Sequence, residues 1–80
     1  MKDICETQYG EVIVVTTQKP NYTWEVTVSS NEIIYSRFFF DQHSANLVHK
    51  KVKEELGRNK TVAVEEELRE IMKRSIGINY

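Results

Sequence analysis

Apolar and polar positions alternate most strictly near the middle of the first half of the chain. Tyr22, Trp24, Val26 and Val28 interleave with Thr23, Glu25, Thr27 and Ser29, the period of a strand with one buried and one wet face. Before it, Glu11-Val-Ile-Val-Val-Thr-Thr17 is a run rich in β-branched residues that ends at Lys19-Pro20-Asn21, where proline fixes φ and asparagine tolerates turn geometry. After it, the polar cluster Ser29-Ser30-Asn31-Glu32 reads as a tight hairpin into a third strand over Ile33 to Phe40. Met1 to Tyr9 leaves open a further short edge strand through Ile4, with a turn near Tyr9-Gly10.

The register of the third strand decides which of its side chains meet the core, because a slip of one residue exchanges the two faces. A three-residue loop sets Ile34, Ser36, Phe38 and Phe40 beside the core face of the second strand. A two-residue loop sets Ile33, Tyr35, Arg37 and Phe39 there instead. The first is preferred here because it keeps Arg37 out of the core, where an unpaired charge is costly. The outer face then gathers Ile13, Val15, Ile33, Tyr35 and Phe39, an apolar patch that calls for a cover.

From Asp41 the period changes. Asp41 suits an N-cap, and Ala45, Val48, Val52 and Leu56 recur at helical spacing opposite Lys50, Lys53 and Glu54. The pattern predicts a helix over 42–56, with Gly57 as its left-handed stop. A second helix follows, capped by Asn59 or Thr61, with the stripe Val64, Leu68, Ile71, Met72 and Ser75 or Ile76. Glu65 to Glu67 at its start and Lys73 and Arg74 at its end suit the macrodipole, and Gly77 ends it, with Ile78 packing back. Thr61-Val-Ala-Val64 also has strand propensity and leaves a pairing with a sheet edge open. One sheet face led by Trp24, Val26, Phe38 and Phe40, and one apolar stripe on each helix, are satisfied together by two helices on that face. The expectation is one α+β domain over 1–80: a three-stranded antiparallel sheet, with or without the N-terminal edge strand, followed by two helices.

Composition changes this picture little. The chain has 80 residues, 40% of them hydrophobic and 29% charged, with a net charge of -1. No global field draws it to nucleic acid or to an anionic membrane. Its longest apolar run, Val12 to Val15, falls far short of the ~20 residues of a membrane span. Cys5 is the single cysteine and nothing at the N-terminus reads as a secretion signal, so a reducing, cytoplasmic compartment is expected.

Candidate chemistry is sparse. His43 and His49 are six residues apart and fall on different sides of a helix, so they read as surface histidines, and no metal or cofactor site is expected. Gly10, Gly57 and Gly77 are too scattered for a phosphate loop, and the sequence contains neither G-x-S-x-G nor H-E-x-x-H. The glutamate runs belong to solvated helix faces. No catalytic residue is assigned, and the expectation is not an enzyme.

Two binding surfaces remain. Aromatic residues beside an arginine have the composition of binding hot spots, which nominates Ile33, Tyr35, Arg37 and Phe39 as contacts to a larger protein or to a second copy in a homodimer. The alternative is nucleic acid, with Lys50, Lys51, Lys53, Arg58 and Lys60 contacting successive phosphates. Following three strands, Lys50-Lys51-Val52-Lys53 resembles the Lys-Lys-x-Ala-Lys motif that opens the final helix of double-stranded-RNA-binding domains. Here the run lies late in its helix, valine stands for alanine, and the preceding helix of that fold has no room. Small size and absence of chemistry also match the inhibitors and regulators that mobile elements encode. A non-enzymatic interaction module is therefore expected.

Overall fold

The computed structural model describes residues 1–78. Four antiparallel strands, β1 (Lys2–Glu6), β2 (Glu11–Gln18), β3 (Trp24–Ser30) and β4 (Ile33–Phe39), form a meander in sequence order. Two helices follow, α1 (Gln42–Arg58) and α2 (Glu65–Ile76), and the architecture is α+β. The N-terminal segment does form a strand, pairing Ile4 with Ile13 and Cys5 with Val12.

Alternation in β2 and β3 sends Val12, Val14, Thr16, Val26, Val28 and Ser30 to one face, all of them buried. Both helices lie on that face: α1 presents Ala45, His49, Val52 and Leu56, and α2 presents Leu68, Ile71, Met72, Ser75 and Ile76. The strand over residues 22–29 begins only at Trp24. Tyr22 instead closes the β2–β3 turn in the left-handed region (φ 63°), its N–H donating to the Lys19 carbonyl at 3.1 Å.

The β3–β4 hairpin has the two-residue loop, so the preferred register is reversed. Ser30 pairs with Ile33, Val28 with Tyr35, Val26 with Arg37 and Trp24 with Phe39. Ile33 is 2% exposed, whereas Phe38 and Phe40, expected in the core, are exposed. Asn31 takes the left-handed conformation that a tight loop needs (φ 54°). The anticipated penalty for Arg37 does not arise, because β4 is an edge strand. The Arg37 side chain runs out past the core over the Phe39 ring, 4.9 Å to the centroid, and its Nη1 donates to the Ile76 carbonyl at 3.2 Å. A cation at the C-terminus of α2 also complements the helix dipole.

Helix ends follow the expected chemistry with two changes. Asp41 caps α1, its Oδ2 accepting from the Ser44 N–H at 2.8 Å, a bond that holds its carboxyl below the usual range. Gly57 does not stop α1, which continues to Arg58. The closing residue is Asn59, whose N–H donates to the Leu56 carbonyl (3.2 Å) and whose Nδ2 donates to the Glu55 carbonyl (2.6 Å). Neither Asn59 nor Thr61 caps α2; its N-cap is Val64, without a side-chain bond. Residues 60–62 lie against the β1–β2 turn, where Gln8 and Tyr9 N–H groups donate to the Lys60 and Val62 carbonyls at 2.9 and 2.8 Å. Gly77 ends α2 at φ 87°, with its N–H and that of Ile78 returning to the Arg74 and Lys73 carbonyls.

Candidate partner-binding surface

With both helices on one face, the other face of the sheet has no cover among the described residues. Registers place Ile4, Ile13, Ser29 and Ile34 in one row across it. The next row is Lys2, Val15, Thr27 and Ser36, and the one beyond holds Thr17, Glu25 and Phe38. Ile4 is 53% exposed, Ile34 63% and Phe38 59%. The polar members are locally satisfied: Thr27 and Ser36 share a hydroxyl–hydroxyl bond of 3.0 Å, and Lys19 pairs with Glu25 at 3.1 Å. At one end the surface continues into a shallow hollow of about 450 Å³ lined by Lys19, Pro20, Asn21, Thr23, Phe38, Phe39 and exposed Phe40, with Tyr22 exposed in the adjoining turn.

The nominated contact residues therefore sit on the other side. Ile33 is core, Tyr35 and Phe39 are half-buried beneath the helices, and Arg37 is tied to the end of α2. Their neighbours Ile34 and Phe38 take the outer positions, joined by Ile4 from the strand over residues 2–6. The signal that could have found them is the strand count: with four strands, Ile4, Ile13 and Ile34 fall in one row only under the two-residue loop.

The basic segment is dispersed. At about 100° per residue, Lys53 points toward β1, where its Nζ is 3.3 Å from Asp3 Oδ1, and Arg58 lies on the flank of Glu55, 3.3 Å from its Oε1. Lys50 and Glu54 line a hollow at the β1 side with Met1, Asp3, His49 and Lys53, Lys51 is exposed, and Lys60 is in the loop. Arg74 reaches the same Glu55 at 3.4 Å, so acid and base are interleaved over this side of the molecule.

Sequence reasoning missed the main polar cluster. His49 is not a surface residue: it is 1% exposed between α1 and the sheet. Its Nδ1 lies 2.7 Å from Thr16 Oγ1 and its Nε2 lies 2.7 Å from Asp3 Oδ2. The His49 bond, seconded by Lys53, holds the Asp3 carboxyl below the usual carboxylate range. Burial pushes the neighbouring Cys5 thiol up, which disfavours its thiolate. Hydroxyl, imidazole and carboxylate stand in the order of a catalytic triad. Thr16, however, is 4% exposed and its hydroxyl is sealed under α1, beyond the reach of a substrate. The signal was His49 itself, which continues the Ala45, Val52, Leu56 stripe at i+4 from Ala45. No group of histidine, cysteine, aspartate and glutamate side chains able to hold a metal ion occurs among the described residues.

Neither protein-family models, nor curated proteins, nor solved structures match this chain. Among the described residues no helix is long and apolar enough to cross a membrane.

Proposed function

We propose that this chain is a small non-enzymatic interaction module that docks a larger protein through the sheet face opposite its helices, as an inhibitor or regulator of the kind mobile elements encode. One observation carries the reading: Ile4, Ile13 and Ile34 share a row with Ser29, Val15 lies in the next row and Phe38 in the one beyond, and of these Ile4, Ile34 and Phe38 are exposed while both helices lie on the other side. Patches of this kind mark interaction sites. A larger partner is favoured over a second flat copy by area. Strands about 4.8 Å apart with a rise of about 3.3 Å per residue give the face roughly 400 Å², about half of what each side of a stable complex contributes. The missing area is supplied when the partner also wraps the aromatic end at Tyr22, Phe38 and Phe40. The half-buried unpaired Cys5 fits a reducing, cytoplasmic setting. The sealed Thr16 hydroxyl supports a binding rather than a catalytic role.

The test is capture from native extract with the wild-type chain and two variants. Ile4→Asp with Phe38→Asp removes the patch at exposed positions and is expected to lose the captured protein. The triple variant Lys50→Ala, Lys51→Ala, Lys53→Ala is expected to retain it. The reverse pattern, joined to steeply salt-dependent binding of duplex DNA or RNA, would replace this reading with the nucleic-acid one.

A further inference from the structure

The hydrogen-bond alternation of the sheet fixes what its β4 edge offers. Thr7 and Gly10 exchange both backbone bonds, at 3.0 and 3.1 Å, closing the β1–β2 hairpin. Bonded and non-bonded pairs alternate along antiparallel ladders, so the registers carry this phase across the sheet. Ile33, Tyr35, Arg37 and Phe39 direct their N–H and C=O groups to β3, while Ile34, Ser36 and Phe38 direct theirs outward. Among the described residues, no backbone bond outside the ladder involves residues 33–39. Three bonding positions thus face solvent along a strand with no proline and one charge, Ile-Ile-Tyr-Ser-Arg-Phe-Phe, a composition that invites strand addition.

The strand is also self-complementary about its centre. We propose that two copies of this chain pair antiparallel along β4 around a twofold axis at Ser36, joining their sheets into one. Ser36 then faces Ser36 of the second copy, Ile34 faces Phe38, Ile33 faces Phe39 and Tyr35 faces Arg37. The outward phase of Ile34, Ser36 and Phe38 makes Ser36–Ser36 and the two Ile34–Phe38 pairs, repeated by the twofold on either side of Ser36, fully bonded, with Tyr35–Arg37 and Ile33–Phe39 as the non-bonded pairs between and beyond them. The charges are compatible, because the one cation of β4 stands opposite a tyrosine and not another cation. Seven residues of strand are roughly 23 Å long, and with the helix layer beneath they bury on the order of 500 Å² per copy. That is below the about 800 Å² of a stable complex and in the range of weak, reversible contacts. Pairing also brings the two outer faces together at Ile34 and Phe38, giving a continuous surface of roughly 800 Å². This last consequence rests on the proposed docking face; the pairing itself does not.

Sedimentation equilibrium of the full chain across the micromolar range tests the pairing. The mass is expected to rise from 9.4 kDa toward twice that value. Ser36→Pro removes the central outward N–H and the hydroxyl bond to Thr27 but leaves the backbone bonds to β3 in place; it is expected to stay monomeric with an unchanged circular dichroism spectrum. Ser36→Cys combined with Cys5→Ser is expected to give a covalent dimer on mild oxidation, since bonded pairs bring Cα atoms to about 5.5 Å, within disulfide reach. In the same background Ile34→Cys alone should not crosslink, its two copies lying about 13 Å apart, but should do so when mixed with Phe38→Cys. An Ile4→Asp chain that loses the larger partner and still crosslinks through Ser36→Cys would uphold the pairing separately from the docking face. A monomer at every concentration overturns the proposal. So does a dimer that survives Ser36→Pro and disappears with Ile4→Pro, which would place the seam on β1.

Discussion

The two edges of the sheet are built in opposite ways. β1 is short, and three of its five residues, Lys-Asp-Ile-Cys-Glu, are charged. It is held from within, by Asp3 reaching His49 and Lys53 on α1. β4 is longer and almost free of charge, and its one cation is drawn inward to the end of α2. Charged, short edges resist further pairing, and apolar ones accept it. The sheet is therefore closed to addition on one side and open on the other, and the uncovered row of isoleucines spans both.

The largest effect is expected where the closed edge is fastened. His49→Ala leaves a cavity, strands the Thr16 hydroxyl and leaves Asp3 to Lys53 alone, and should cost about 2–4 kcal/mol in urea unfolding. On the open side the fastening is lighter. Gly77→Ala meets two obstacles, the left-handed φ of 87° and the Arg37 guanidinium lying where a Cβ would stand. It should cost about 1–2 kcal/mol and free the Arg37 side chain, read as a lower thermal midpoint with helix content retained.

Of the two edges, acid should loosen the closed one. Asp3 is depressed in the folded chain by His49 and then Lys53, so its contribution is present above the unfolded carboxyl value of about 4 and is lost as pH falls through its lower folded value. Asp3→Asn is expected to flatten that part of the acid-unfolding curve, while the Asp41 cap, depressed by Ser44, continues to contribute. The smallest effect on stability is expected from Ile34→Lys, within about 0.5 kcal/mol for an exposed outer position. Its cation would nevertheless block the open edge, removing concentration-dependent association in light scattering.

The contrast also explains what the sequence revealed. The two inner strands and both helices were legible because each buries one face and keeps its period. The edges were not. The rule that kept Arg37 out of the core assumed a central strand, and at an edge the side chain passes beyond the core to the α2 carboxyl end. His49 looked like surface because its partners, Thr16 and Asp3, are far away in the chain and the strand holding Asp3 carries a weak pattern. Reversing one hairpin by a residue moved the candidate contacts from Ile33, Tyr35, Arg37 and Phe39 to Ile34 and Phe38. The expected apolar patch survived with different members, because isoleucine and phenylalanine occur in adjacent pairs at both ends of β4.

Residue-resolved amide hydrogen exchange, compared in dilute and concentrated solution, tests the difference between the edges most directly. The Ile34, Ser36 and Phe38 amides should exchange rapidly when dilute and gain protection on concentration, with Lys2, Ile4 and Glu6 unchanged. Protection that appears at the β1 amides instead, or at neither edge, would contradict an open β4.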